Sequence, residues 1–577
     1  MRISPQIKTW LLPQFPFLSA ILPLALVLAL ASNTHAGGPL VVVNGIPARW
    51  PGSAPTVTYT LDQGSLGDLS ANEAVDLFER SIDAWNEVDS SDITLRINSQ
   101  RLPEDVTGRN YDEVINEQIS PNTNAVVFDD NGSVIDFLFG SGSRDFVFGI
   151  GGPVFTQNGN IVASNIVFNG HLFDRQNFSI EEILPTFIHE IGHTLGLDHA
   201  QFNRHLAGNG TGLDDQYLPV MFPTSADAEI ERQSLAFDDQ LSLTRLYPRG
   251  LLADRGAIEG RVLRGSEELP GVNVIARSTE EPTRLAASVV TGTLNRNSGF
   301  FRFEHLPRGT YFLQVEAIDP DFDAASSVGQ YAETEDDLSF QDPVKPEYYV
   351  DDDSDDDARS RAQFLGLGGS ELRTGIDFQV EEDDLPNDEE DSTLLPLGAT
   401  FRGGLGGNQS YSDLYFFELS GEEPAVRVQF AFDESIRYLI NVSRETESGS
   451  RRTESFEATG TEQDILIGGD SPIELTRSSY FISVINRSSE TLYSVTVEET
   501  DIPAPPPTPG PPQPGDINGD GVITILDLFA FAADWNVDSD EKQFNHSLDD
   551  EPNPTLQQPE LLQWLQLFEA ARETSAN

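Results

Sequence analysis

Between residues 189 and 199 the chain reads HEIGHTLGLDH, and three of its eight histidines fall in these eleven positions. His189 and His193 are four residues apart, so on a helix they share a face one turn apart and can bind one metal ion. Glu190 stands beside the first of them, within reach of a water on that metal. A helix continued past His193 would carry His199 to the wrong side. Gly196 allows the backbone to leave helical geometry, so that His199 returns as a third ligand. Three neutral imidazoles leave one tetrahedral position open, as in a catalytic rather than a structural zinc site. Zinc there would polarise a carbonyl and acidify water, with Glu190 taking the proton and later delivering it to the leaving amine. A metal-free, histidine-rich helix is a serious rival for HExxH alone; the full HExxHxxGxxH pattern meets too many constraints for it.

At these residues the sequence resembles the metzincin metalloproteases, and among them the matrixins. The resemblance implies a zinc endopeptidase with His189, His193 and His199 as ligands, Glu190 as general base, and a methionine in a tight turn beneath the metal. The chain has two methionines; one is the initiator and the other, Met221 in LPVMFP, lies 22 residues past His199. LAFDDQLSLTRLYP, residues 235–248, is similar to the matrixin closing helix, with Asp238 and Asp239 as its paired aspartate. ARWPGSAPTVTYTLD and AWNEV are similar to the start of the same domain, so the likeness spans most of 45–250. Two departures stand out. No cysteine precedes the domain, which excludes the thiolate latency switch of animal matrixins, and the stretch from His199 to Met221 is longer than usual, leaving the substrate-pocket wall unreadable. His171 and Asp174 in NGHLFD echo a structural metal site but read better as surface residues.

A second set of metal-type spacings lies near the C-terminus. DINGDGVITILD, residues 516–527, places oxygen ligands at loop positions 1, 3, 5 and 12: Asp516, Asn518, Asp520 and Asp527. Gly521 sits at the sharp turn, Val522 supplies its carbonyl, and Thr524 takes the position often served through water. Aspartate at position 12, followed by the apolar LFAFAADW, resembles a type I dockerin. That family duplicates the loop, and a degenerate copy begins 33 residues on, with Asp549, Glu551, Asn553 and Glu560 in DDEPNPTLQQPE. Pro554 replaces the turn glycine there, so calcium is expected to bind it weakly. The resemblance implies a small α-helical calcium-binding domain over 515–572 that docks onto a cohesin-type partner.

Positioning the histidines requires a scaffold. PTVTYTLD alternates like a strand, and SANEAVDLFERSIDAWNEV puts Ala74, Leu77, Phe78, Ile82 and Trp85 at helical spacing behind Ser70. DITLRI, NAVVFD, FVFGIGGPVF and IVASNIVF read as strands. The histidine helix starts either at the Ser179–Glu182 capping box, which leaves Pro185 in its second turn, or at Pro185 itself. This predicts an α/β catalytic domain over 40–250. From 256 the texture changes to short strand runs separated by Gly and Pro turns, predicting a β-sandwich over 256–380 similar to the carboxypeptidase regulatory-like module. An acidic linker, 381–394, leads to a second β-sandwich, 395–500, that resembles the bacterial pre-peptidase C-terminal module. A proline-rich spacer, 501–514, precedes the calcium loops. DDDSDDDAR, residues 351–359, has a calcium-type composition but reads as a solvated loop.

Composition limits the partners. With 577 residues the chain is too long for one core, and 94 Asp plus Glu against 35 Lys plus Arg give a net charge of −59. Such a surface repels nucleic acid and anionic membranes, and suits calcium, cationic partners or a salty medium. Arg2 and Lys8 precede an apolar run and then SNTHAGG, the pattern of a signal peptide over 1–36 cleaved before Gly37. An uncleaved anchor is the alternative, against which Pro16, Pro23 and the small-residue exit weigh; no later stretch is apolar enough to span a bilayer. There is no cysteine, and export without disulfides is more typical of bacteria than of animal secretion. The sequence thus predicts a secreted, extracellular zinc metalloendopeptidase acting on protein or peptide substrates and anchored through its dockerin-like module. One rival is an adhesion or binding protein with an inactive metzincin-like domain, though Glu190 and all three histidines are retained. Another is an accessory component of a polysaccharide-degrading assembly, although the chain carries no carbohydrate-active site of its own.

Overall fold

The computed structural model describes residues 38–500 apart from most of 201–212 and 318–345, parts of 469–477, and 224–233, 251, 293–297, 351–359, 381–391, 406–411, 420–424, 446–450 and 487–490. These residues belong to one compact unit that ends at Thr500. The signal segment, the acidic run at 351–359, most of the acidic linker, the proline-rich spacer and both calcium-type loops lie outside the described residues.

The first block opens with a short ribbon, β1 (Val42–Val43) and β2 (Ile46–Pro47). It continues with a five-stranded sheet of β3 (Thr56–Leu61), β4 (Thr94–Ile97), β5 (Asn124–Asp129), β6 (Gly149–Phe155) and β7 (Ile161–Asn169). The order is β4-β3-β5-β7-β6; β6 runs antiparallel along one edge and the other pairings are parallel. Parallel neighbours need crossovers, and α1 (Ala71–Asn86) makes the one between β3 and β4. Ser70 and Glu73 form its capping box, and the predicted face of Ala74, Leu77, Phe78, Ile82 and Trp85 is buried. Two shorter helices follow, α2 (Ser133–Phe139) and α3 (Gly170–Gln176).

The histidine helix is α4 (Ile180–Thr194), which packs its Leu184, Phe187, Ile188 and Ile191 into one core with the α1 face. Of its two possible starts, the capping box prevails: Ser179 accepts the Glu182 N–H and the Glu182 carboxylate accepts the Ser179 N–H. Pro185 is tolerated within the helix because the carbonyl it leaves without a donor belongs to Glu181, an exposed residue. α5 (Phe237–Leu246) closes the block, with Asp238 and Asp239 in its first turn.

Every element described after α5 is a strand, so the chain is β-rich. The first β module comprises β8 (Arg255–Arg264), β9 (Glu267–Glu268), β10 (Val272–Ser278), β11 (Ala286–Val290), β12 (Phe300–Pro307), β13 (Gly309–Ala317), β14 (Glu347–Tyr348), β15 (Leu365–Leu367), β16 (Leu372–Arg373) and β17 (Phe378–Gln379). They form two five-stranded sheets, one around β10 and β13 and the other around β8, with a shared core that includes Ile258, Val274, Phe301 and Leu313. The second module comprises β18 (Thr393–Leu394), β19 (Thr400–Leu405), β20 (Ser412–Leu419), β21 (Ala425–Glu445), β22 (Arg451–Ile467), β23 (Ser478–Asn486) and β24 (Thr491–Thr500). These make one connected sheet rather than two separate ones. β21 is bulged between Ala431 and Ile436, pairing β24 before the bulge and β23 after it. Thr393 and Leu394, at the end of the stretch read as linker, pair with β20, and Leu394 is buried.

Candidate metal site

The site begins with the end of α4. The helix stops at Thr194, and Gly196 adopts φ +88°, the left-handed conformation that glycine takes without strain. The Leu197 N–H donates to the Gly192 carbonyl and the Gly196 N–H to the His193 carbonyl, the paired bonds of a Schellman ending. A Cβ at position 196 would also lie 2.7 Å from the Ala48 carbonyl oxygen. The chain therefore reverses at Gly196, as the sequence predicts, and His199 comes back over the helix.

His189, His193 and His199 converge through their Nε2 atoms, which lie 3.1, 3.2 and 3.2 Å from one another. His189 Nδ1 is 2.7 Å from the Val220 carbonyl oxygen and His193 Nδ1 is 2.8 Å from that of Leu197. A carbonyl can only accept, so each Nδ1 carries the hydrogen and each of these Nε2 atoms presents a lone pair. Burial pushes His193 down to about 4, which favours the neutral form that can ligate. Lone pairs this close repel unless a cation lies between them. A tetrahedral zinc about 2.0–2.1 Å from nitrogen would set neighbouring ligand atoms about 3.3 Å apart. The donor set therefore fits that ion in chemistry and in spacing.

Aromatic side chains from α1, from the segment before β3 and from the end of α5 hold α4 in place. Trp85 Nε1 donates to the Ile188 carbonyl (2.9 Å), Trp50 Nε1 to that of Thr194 (3.0 Å) and the Tyr247 hydroxyl to that of Leu195 (2.6 Å). Met221 sits directly under the helix. A Cβ on Gly192 would fall 2.4 Å from the Met221 sulfur and 2.9 Å from Trp85, so a larger residue between His189 and His193 would force Met221 or Trp85 to move. The carboxylate of Asp239 accepts the N–H groups of Val220 (2.8 Å), Met221 (3.0 Å) and Ala236 (2.8 Å). It thereby fixes the methionine turn to the start of α5, and the Val220 carbonyl in that turn orients His189. Such outer partners set the tautomer and ring angle of a ligand.

Glu190 is 8% exposed and faces β6. Burial raises its carboxyl to about 8, while the Gly151 N–H donates to it and pulls the other way. Two glycines make this approach possible: a Cβ at Gly151 would lie 2.3 Å from the Glu190 backbone oxygen, and one at Gly149 3.1 Å from Glu190 Cγ. His171 and Asp174 each engage another partner. His171 Nε2 meets Asp145 (3.0 Å), and Asp174 accepts the Asp68 N–H, in keeping with the surface reading. Sequence reasoning missed Gly149, Gly151, Gly192 and the roles of Asp239 and Val220. A glycine inside a helix between two ligands is the signal that could have flagged Gly192.

No protein-family model and no curated protein matches the chain. Among solved structures, the chain is similar to a carbohydrate-binding module in complex with β-1,4-galactotriose, at 14% identity over 17% of this chain and 69% of that one, with a TM-score of 0.14. It is also similar to a family 16 carbohydrate-binding module, at 11% identity over 18% and 77% of the two chains and a TM-score of 0.13. A carbohydrate-binding module of the β-sandwich superfamily is matched at 8% identity over 43% and 99%, again with a TM-score of 0.13. Likeness of this size carries neither a fold nor a ligand over to the chain.

Proposed function

We propose that the chain is a zinc-dependent endopeptidase of the metzincin type, with residues 40–250 as its α/β catalytic domain. The observation that supports this most directly is the meeting of three imidazole Nε2 atoms within 3.2 Å, next to a buried carboxyl group on the same helix. Zinc bound there supplies a Lewis acid that polarises the scissile carbonyl and acidifies the attacking water. His189, His193 and His199 hold it through Nε2. Glu190 accepts the proton of the attacking water on its carboxylate and hands it to the nitrogen of the leaving amine. The burial that raises Glu190 makes it a stronger base than an exposed carboxylate, and a zinc ion held by the neutral histidines would favour its ionised form. β6 is the edge strand beside α4, and an extended peptide can add to a sheet edge through its backbone. Gly149 and Gly151 keep side-chain bulk away from Glu190 along that strand. The signal-type N-terminus and the calcium-type loops at Asp516 and Asp549 extend the proposal to a secreted enzyme with a dockerin-like anchor for a cohesin-type partner.

Glu190→Ala is expected to keep its zinc and to lose casein or gelatin hydrolysis by about 10²- to 10⁴-fold. His193→Ala should lose the metal as well, measured by elemental analysis of the purified protein. A Glu190→Ala variant that cleaves peptides at the parental rate would overturn the mechanism.

A further inference from the structure

The segment from Ala200 to Phe222 runs from the third histidine to the methionine turn, and both β modules grip its described residues. Arg277 in β10 is 2% exposed. Its guanidinium donates to Asn203 Oδ1 (2.8 Å), to the Pro282 carbonyl (3.0 Å) and to Gln314 Oε1 (3.2 Å). It also lies 5.2 Å from the centre of the Phe401 ring in β19, so one side chain touches the segment and both modules. Asn203, at φ +59°, relays the contact by donating to the carbonyls of Tyr217 (3.1 Å) and Thr283 (2.9 Å).

Other contacts lead back to the ligands. The Ala200 N–H donates to the Met221 carbonyl (2.9 Å), and Ala200 is buried with Ile275 and Ala286 of the first module. The second module reaches the same segment through the Gly404 N–H, which donates to Asp214 (2.8 Å), and through Leu492, which packs on Leu206, Tyr217, Leu218 and Phe222. The Ser288 N–H of β11 donates to Asp238 (2.7 Å), next to the Asp239 that holds the turn. A surface loop would carry none of these long-range buried bonds.

We infer that the two β modules form the fixed wall of the histidine site, and that Arg277, acting through Asn203, is a positioning residue for His199 and for the Met221 turn. The modules are structural parts of the site and not separate units carried beside it. Arg277 suits this role because its planar fork serves several acceptors at once in fixed directions, which a lysine cannot do.

The inference rests on the histidines holding a metal, and the test separates the two. The full chain would be loaded with zinc, and with cobalt(II) in parallel, and zinc transfer to a chromogenic chelator followed in four proteins. Arg277→Met removes the donors. Asn203→Gly removes only the relay and accepts the positive φ without strain. Phe378→Leu weakens the first-module core where it packs on Phe301 and Tyr349, away from the segment. The expectation is zinc release about tenfold faster in the first two variants, in line with the loss of outer partners, with a shifted cobalt spectrum. Phe378→Leu should lower the melting temperature and leave both readouts at the parental values. Parental release rates in both Arg277→Met and Asn203→Gly would overturn the inference, as would equal acceleration by Phe378→Leu. A parental chain that takes up no metal would instead overturn the metal site itself.

Discussion

The helix α4 and the segment that follows it hold the same three histidines by different means. In α4 the spacing of the histidines and the reversal that returns His199 are local: His193 meets the Leu197 carbonyl four residues on, and the turn at Gly196 is closed by bonds to His193 and Gly192, although His189 also leans on the distant Val220 carbonyl. In the segment the bonds span the chain. Asn203 meets Arg277 across 74 residues and Asp214 meets Gly404 across 190. Local geometry is dictated by helix periodicity and by the conformational freedom of one glycine, so a short motif is enough to specify it. A wall assembled from distant strands depends on packing that no local motif encodes. If this division is right, variants in the wall and turn should loosen the metal, and variants remote from the ligands on α4 should only cost stability.

The largest effect is expected at Asp239, where the turn joins the wall. Asp239→Ala leaves the N–H groups of Val220, Met221 and Ala236 without their acceptor, the first two buried and the third half-buried. At about 1–3 kcal/mol for each unsatisfied donor, a loss of roughly 3 kcal/mol or more is expected in urea unfolding. Zinc release should also quicken, because the Val220 carbonyl orients His189. Unchanged zinc release in a folded Asp239→Ala protein would show that the turn does not govern the ligand.

Gly192→Ala comes next. The new methyl group would stand 2.4 Å from the Met221 sulfur, and overpacking of this kind costs about 1–3 kcal/mol. The better helix propensity of alanine returns about 1 kcal/mol, so the net loss should be about 0–2 kcal/mol. In a Met221→Ala background the sulfur contact is gone and only Trp85, at 2.9 Å, still crowds the methyl group, so the same substitution should cost clearly less. An equal loss in both backgrounds would mean that the sulfur is not what demands glycine.

These residues also mark how far sequence reasoning reached. The predicted face of α1 is the buried one, and all five expected first-block strands are present: α1 and β3 show one buried side, while β5, buried along its whole length, reads as a continuous apolar run. The convergence of His189, His193 and His199 was legible because their spacing and the Gly196 reversal are local. α2, α3 and β11 were not recognised, nor was the β21–β22 hairpin, whose outer strand is mostly polar and exposed and so carries no buried pattern. The wall was unreadable for a different reason. Arg277 looks like any strand arginine in GVNVIARS, and only the fold brings Asn203, Gln314 and Phe401 around it.

The smallest effect is expected at the start of α4. Ser179 caps the helix, but its hydroxyl is 3.4 Å from the Glu182 nitrogen and exposed, so Ser179→Ala should cost only about 0.5–1 kcal/mol in thermal or urea unfolding. His189 lies ten positions after Ser179, about 15 Å of helix, and Trp85, Trp50 and Tyr247 anchor the C-terminal turns of α4 independently of the cap. Fraying of the first turn should therefore not reach the histidines, and zinc release should stay at the parental rate although stability falls. Asn203→Gly removes buried bonds to Tyr217, Thr283 and Arg277, so it should lower stability by about 1–3 kcal/mol and, unlike Ser179→Ala, also loosen the metal. If Ser179→Ala released zinc as fast as Asn203→Gly, the helix would be as much a part of the wall as the two β modules, and the distinction between local and distant support would collapse.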